Sequence, residues 1–299
     1  MTVRTLLVTI VGAILMVGSP IVSANTGLSA MDLMQQVDDN RRKTVDSAFT
    51  SMIITTCKYG TSGGKLKCVE SPRVKIIESA QVNTGKDKQD TRSLIMVVAP
   101  EYEKGIGMLS YAYNDSNQEN ETWLYLPALG KVNKIAVSQG EGDTTEAANL
   151  FGTEISLEDQ AVGKLDEYSY EIIETGEYKG RPIVVIESIP NADRLNKSSH
   201  GKTQTWIDTE RFVALKVQIF DQQGAMIKRI QMGSIEYLNK TWLAKSISFM
   251  NLVSQRLTNM KIDKITFGIE VDLELLTPKA LSNKDFREAH LKKLRSQSQ

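Results

Sequence analysis

The residues able to do chemistry are few. The chain of 299 residues has two histidines, His200 in a polar run and His290 in a helical pattern near the end. Two imidazoles exclude a three-histidine metal site within one chain, and no H-E-x-x-H occurs. No G-x-S-x-G nucleophile elbow is present. Gly63-Gly64-Lys65 lacks the upstream spacing and the Ser or Thr of a phosphate loop. Gly105-Ile106-Gly107 is half of a dinucleotide fingerprint without its helix, and reads as strand or bulge glycine. No cofactor and no metal are therefore expected. The densest acidic group is Glu141, Asp143, Glu146, Glu154, Glu158 and Asp159. A carboxylate pair drawn from it could do acid–base chemistry or hold calcium. The D-x-D-x-D-G ligand spacing is absent, and a solvated acidic loop is the simpler reading. No catalytic residue is assigned, and the protein is expected not to be an enzyme. A competing enzymatic reading would rest on Glu154, Glu158 or Asp159.

The remaining reactive pair is Cys57 and Cys68, with three glycines and a serine between them. That composition predicts a turn flanked by short strands. Whether the thiols pair depends on the compartment, and the N-terminus addresses that. Arg4 precedes an apolar run from Leu6 to Val17. Gly18-Ser19-Pro20 breaks it, and Val22-Ser23-Ala24 has the small-residue form of a cleavage site. Charge, apolar core and cleavage site in that order predict a secretory signal peptide over 1–24. A run of about twelve residues is short of the roughly twenty that span a bilayer. The mature chain, 25–299, is expected to be a single periplasmic domain. In an oxidising compartment two cysteines flanking a hairpin should form a disulfide, contributing about 2–3 kcal/mol on the chain-entropy model.

These residues need elements to position them. Lys plus Arg and Asp plus Glu number 36 each, so there is no electrostatic footprint for nucleic acid and no polybasic membrane patch. Ala30, Leu33, Met34 and Val37 share one face of a helix predicted over about 29–41, with Ser29 as cap and Asp32 in its first turn. The period then drops to two. Strands are predicted over 47–57, 66–79, 91–99, 105–113, 121–126, 131–136, 168–176, 181–189, 203–208, 212–220, 225–235, 241–252 and 255–267. Residues 138–159 interrupt them as a polar loop leading into a short helix or turn. A final helix, capped by Ser282 or Asn283, places Phe286, Ala289, His290 and Leu294 on one face. About thirteen antiparallel strands with terminal helices predict a mainly β (α+β) fold, a strongly curved sheet or incomplete barrel. A barrel too wide for its own side chains to fill leaves a cavity. Trp123 and Tyr125 oppose Leu124 and Leu126, and Ile183 and Val185 oppose Val184 and Ile186. Sheets with one wet face alternate more cleanly, so such strands either lie under helices or line a cavity.

Two segments carry a resemblance. Glu121-Thr122-Trp123-Leu124-Tyr125-Leu126-Pro127-Ala128-Leu129-Gly130-Lys131 is followed by Leu150-Phe151-Gly152-Thr153-Glu154-Ile155-Ser156-Leu157-Glu158-Asp159. Their order resembles the LolA-like outer membrane lipoprotein-sorting protein family. Asn133-Lys134 stands where that family often has paired arginines, and Leu157 where it often has an aromatic. The resemblance implies an open half-barrel with helices plugging its concave side. It also implies a periplasmic carrier of lipids or acylated lipoproteins, in many relatives beside an inner-membrane transporter of the resistance-nodulation-division (RND) type.

Trp123, Leu124, Tyr125 and Leu126 are expected in or beside the cavity wall, the alternative for the two rings being simple packing under helices. Leu33 and Met34 of the first helix are expected to line the cavity as part of a lid, with Met31 as an adaptable neighbour. The second lid candidate is the 138–159 loop. Three functions follow: a lipid or lipoprotein carrier, a lipid-sensing accessory subunit of a membrane complex, or an enzyme on the same scaffold.

Overall fold

The computed structural model describes residues 27–43, 46–115, 117–135, 149–160 and 164–298. The expected signal segment and the acids Glu141, Asp143 and Glu146 lie outside the described residues.

Helix α1 is Ala30–Lys43. Ser29 Oγ accepts the Asp32 N–H at 3.1 Å while Asp32 accepts from the Ser29 N–H at 3.1 Å. This reciprocal box satisfies donors that a helix start leaves open. The strands are β1 (Ser47–Ser62), β2 (Lys65–Cys68), β3 (Arg73–Thr84), β4 (Asp90–Ala99), β5 (Gly107–Ala112), β6 (Glu121–Leu126) and β7 (Lys131–Ile135). After the short helices α2 (Leu157–Gln160) and α3 (Ala192–Leu195) are counted, the rest are β8 (Tyr168–Tyr178), β9 (Arg181–Pro190), β10 (His200–Asp208), β11 (Val213–Asp221), β12 (Met226–Leu238), β13 (Thr241–Asn251) and β14 (Arg256–Phe267). Helices α4 (Pro278–Ser282) and α5 (Lys284–Gln297) end the chain. The strand expected over 66–79 is two, broken at Ser71-Pro72, where proline offers no ladder donor.

All described ladders are antiparallel, in one sheet of order β7-β6-β5-β4-β3-β1-β14-β13-β12-β11-β10-β9-β8, with β2 beside β1. The first and last strands pair in the middle, and β7 and β8, consecutive in sequence, are the two edges. The sheet is therefore curved but unclosed. Ile77, Val97 and Met108 from one half share a cluster with Ile219, Ile230 and Phe249 from the other. Strands so far apart in the order touch only across a concave face. Register shifts in five ladders, such as that at Ser51/Met52, supply added twist.

Between the edge strands, residues 149–160 pack into the concave face as a plug. Residues 149–156 form a tight hairpin, with the Leu150 N–H on the Ile155 carbonyl at 2.7 Å and Phe151 and Gly152 at positive φ. Leu150 and Ile155 are buried in the concave cluster. Helix α1 fills the other half of the same face. Its Leu33, wholly buried, meets Val184, Ile186 and Ile207.

The convex face is covered separately. Leu281, Leu291 and Leu294 of α4 and α5 pack on Leu94, Met96 and Leu109. Thr277 caps α4 and Asn283 caps α5. Arg295 clamps the end of α5 to Glu78 of β3 at 2.6 Å. The helices thus divide between the two faces: α1 lies on the concave side, while α4 and α5 cover the convex one.

Cys57 and Cys68 form a disulfide, with Cα atoms 5.7 Å apart. The β1–β2 hairpin beside them turns at Gly63-Gly64, both at positive φ, as a two-residue hairpin turn of this twist requires.

Candidate functional site

A cavity of about 430 Å³ opens on the concave face over β3–β6. Its two ends differ because the inward-facing residues change character along each strand. Inward residues of β3 run Ile77, Ser79, Gln81, Asn83; those of β4 run Ile95, Ser93, Thr91; those of β5 run Met108, Ser110, Ala112. Register sets them abreast. Ile95 pairs with Met108, while Gln81, Ser93, Ser110 and Thr122 form one row across four strands. The apolar end is completed by Met52, Met260 and Phe249 of the opposing strands and by Leu150 and Ile155 of the plug. At the polar end the Asn83 side chain donates to the Arg42 carbonyl at 3.2 Å and accepts from Thr91 at 3.2 Å. Arg41 and Arg42 stand at this rim, both paired to Asp38.

The plug is held by its carboxylates. Glu154 meets Arg256 at 3.1 Å and accepts from Ser254 at 3.1 Å. Glu158 accepts from Arg194 at 3.1 Å and from the Ser198 and Ser199 hydroxyls. Asp159 pairs with Lys228, the carboxylate fully buried and the lysine nearly so. Ser156 and Asp159 cap α2 reciprocally, at 2.8 and 3.1 Å. The three acids that could have been catalytic are thus each engaged with a basic partner. They are not the solvated loop expected of them. Among the described residues no group of three or more His, Cys, Asp or Glu is placed to hold a metal.

Burial pushes the Glu158 carboxyl up, but His200, Ser198, Ser199 and Arg194 together hold it below its ordinary value. The His200 imidazole, 3.7 Å from Glu158, is held below its ordinary value by burial, against the pull of that carboxylate and of Asp159.

The residues predicted from sequence lie outside the cavity lining. Trp123 and Tyr125 face the opposite way, into the cluster under α4 and α5. Trp123 meets Tyr111 edge-on at 4.8 Å, and Tyr125 lies under the Arg287 guanidinium at 5.6 Å. This corrects their placement in the cavity wall: the strand's pleat gives the cavity face to Thr122. Leu124 and Leu126 share that face but do not reach the lining. Leu33 and Met34 pack between α1 and β8–β10, and Met31 is exposed. Of the described side chains of α1, Arg41 and Arg42 line the cavity. The lining residues were missed because Ser79-Gln81 and Thr91-Ser93 read as the wet face of an ordinary amphipathic strand. Alternation locates a polar face; only the curvature encloses it.

A family model described as uncharacterized protein matches residues 89–283. The crystal structure of a DUF1329 family protein from Desulfovibrio piger superposes with a TM-score of 0.71 at 18% identity, covering 84% of this chain and 97% of that one. The chain belongs to the family whose model matches it over residues 89–283. A domain described as outer membrane lipoprotein-sorting, from Vibrio parahaemolyticus, also scores 0.71 at 18% identity, covering 85% of this chain and 98% of that one. A LolA superfamily protein from Nitrosomonas europaea scores 0.58 at 14% identity, covering 84% and 98%. The chain therefore has the LolA-like fold that its two motifs resemble. No curated protein matches it. Among the described residues no helix is long and apolar enough to cross a membrane.

Proposed function

We propose that this protein is a periplasmic carrier that holds the acyl part of a lipid or lipoprotein in the concave cavity. The cavity carries the reading: it is enclosed on one side by the sheet and on the other by two chain segments. Its volume falls within the roughly 300–1,000 Å³ of small-ligand sites. An acyl chain gains about 0.8 kcal/mol for each methylene buried. Some fourteen methylenes would give on the order of 11 kcal/mol before the cost of ordering is met. No hydrogen bond is needed at the apolar end. The reading takes residues 1–24 as a cleaved export signal and the remainder as one half-barrel. Catalysis has no part in it. Delivery toward the outer membrane beside an RND-type transporter extends it, on the support of the fold alone.

The test is mass spectrometry of solvent extracts from protein purified from the periplasm without detergent. A stoichiometric lipid or acylated peptide is the expected result. A clean extract, followed by no uptake of fluorescent fatty acid or lipid, would overturn the reading.

A further inference from the structure

Basic and acidic residues balance over the whole chain, but the fold does not spread them evenly, and the even count conceals a local excess of cations. The ladder of β1 with β3 stops at Thr56 and Arg73, and that of β1 with β14 stops at Lys58 and Arg256. Beyond those pairs the β1–β2 hairpin continues alone, from Tyr59 opposite Cys68 to Ser62 opposite Lys65. At the rise of a strand it projects roughly 10 Å past the sheet. An isolated two-stranded hairpin is marginal in water, and this one is braced at its base. Cys57 is bonded to Cys68. Glu70 accepts from the Lys58 N–H at 2.8 Å and from Arg256 at 3.2 Å. The Tyr59 hydroxyl donates to the Asn251 carbonyl at 3.4 Å.

The braced hairpin presents cations and bare apolar groups together. Lys58, Lys65 and Lys67 are exposed, and none of them forms an ion pair among the described residues. The acids at this end are engaged by other cations: Glu70 by Arg256, Glu101 by Lys104 and Glu103 by Lys75. Leu66 stands between Lys65 and Lys67. Val69 lies over Gly60, where a Cβ would come within 2.8 Å of its Cγ1. Tyr102, in the β4–β5 connection, and Val253, in the β13–β14 turn, stand at the same end of the sheet. These four apolar side chains leave between 49% and 81% of their surface in water.

Lysines on flexible stems around scattered apolar side chains suit a laterally fluid surface better than a shaped protein partner. We propose that this end of the molecule docks on an anionic lipid bilayer. Lys58, Lys65 and Lys67 meet the lipid phosphates, and Leu66 and Val69 enter the boundary between head groups and acyl chains. The plug is tied at the same end, because Arg256 bonds both Glu70 at the hairpin base and Glu154 of the plug. Docking therefore turns that latch toward the bilayer. The inference does not depend on what the cavity carries.

The experiment is flotation of the mature protein with vesicles of phosphatidylcholine alone or of an equal mixture with phosphatidylglycerol. Each lysine near an anionic surface contributes about fivefold in affinity. Binding to the mixed vesicles is therefore expected to be about a hundredfold tighter than to phosphatidylcholine alone. Lys58→Gln/Lys65→Gln/Lys67→Gln should lose about that factor, and Leu66→Ser/Val69→Ser about tenfold. All five side chains are exposed, so the unfolding midpoints of both variants should match that of the unaltered protein. Lys261→Gln/Lys284→Gln/Lys292→Gln removes the same charge from exposed positions elsewhere and should change binding by less than about threefold. Equal binding to the two kinds of vesicle, binding to neither, or an equal loss in the second lysine variant would overturn the docking surface and leave the carrier reading untouched.

Discussion

Single side chains here separate stability from binding. Trp123 rests on Tyr111 beneath the C-terminal helices, on the face away from the cavity. Trp123→Ala should lower stability by about 2–4 kcal/mol, from lost burial and a lost ring pair. Cargo affinity of the folded fraction should stay within about twofold, because the indole faces away from the cavity and touches its lining at Tyr111 rather than touching the cargo. Chemical denaturation and a ligand titration on the same sample check both parts; weak binding with an unchanged unfolding midpoint would return the ring to the cavity. Lys228 gives the opposite kind of case. It is the buried partner of a fully buried carboxylate, so Lys228→Ala leaves an uncompensated charge. The expected cost is about 3–5 kcal/mol, read from urea unfolding. A loss below about 1 kcal/mol would mean that water or a proton reaches Asp159.

At the scale of elements, the plug at 149–160 is the part whose order should respond to pH. His200 sits beside its Glu158 latch with a proton affinity lowered by burial. The folded state then binds fewer protons than the unfolded one, whose imidazole titrates near 6.5. Stability from this contact is complete above about pH 6.5 and declines as pH falls through the folded value. Glu158 is also held low, so a second loss follows below its unfolded value of 4.5. Amide-exchange protection of residues 150–160, corrected for intrinsic rates, should fall between pH 7.5 and 5.5. His200→Gln should flatten that interval. Protection unchanged across it would show that the histidine plays no part in holding the plug. The β1–β2 hairpin makes a simpler prediction. Cys57→Ser/Cys68→Ser should cost about 2–3 kcal/mol and leave the register of β1 with β3 and β14 intact, as judged by an unchanged far-ultraviolet circular dichroism spectrum.

The whole molecule turns one topological fact into a concave cavity. Because β1 pairs with β14, the two halves of the sheet grow outward and leave β7 and β8 as distant edges. Residues 149–160, between those edges in sequence, lie on the concave face and are tied down. The resemblance motif acquires a physical meaning there: its carboxylates Glu154, Glu158 and Asp159 are the ties to Arg256, Arg194 and Lys228. Release of cargo through movement of the plug would break these pairs as well as the apolar contacts of Leu150 and Ile155. That gives the carrier of the proposed function a polar latch over an apolar floor.

The sequence by itself determined the elements. Two-residue alternation and turn residues marked the strands to within a few positions, since pleat and turn chemistry are local. Ser29 announced its cap, the last helix had Ser282 or Asn283 to choose from and uses Asn283, and the glycines between the cysteines announced the hairpin that holds their disulfide. What only the tertiary structure decided is which face of each strand is inside. Trp123 and Tyr125 look like a cavity wall until α4 and α5, some 150 residues later, are seen to cover them. Ser93 and Ser110 look wet until the sheet curves round and β13 and β14 face them. Alternation reports that a strand has two unlike faces. Curvature and helix placement arise from contacts between residues far apart in the chain, and those contacts decide which face meets water, which meets a helix and which meets a ligand.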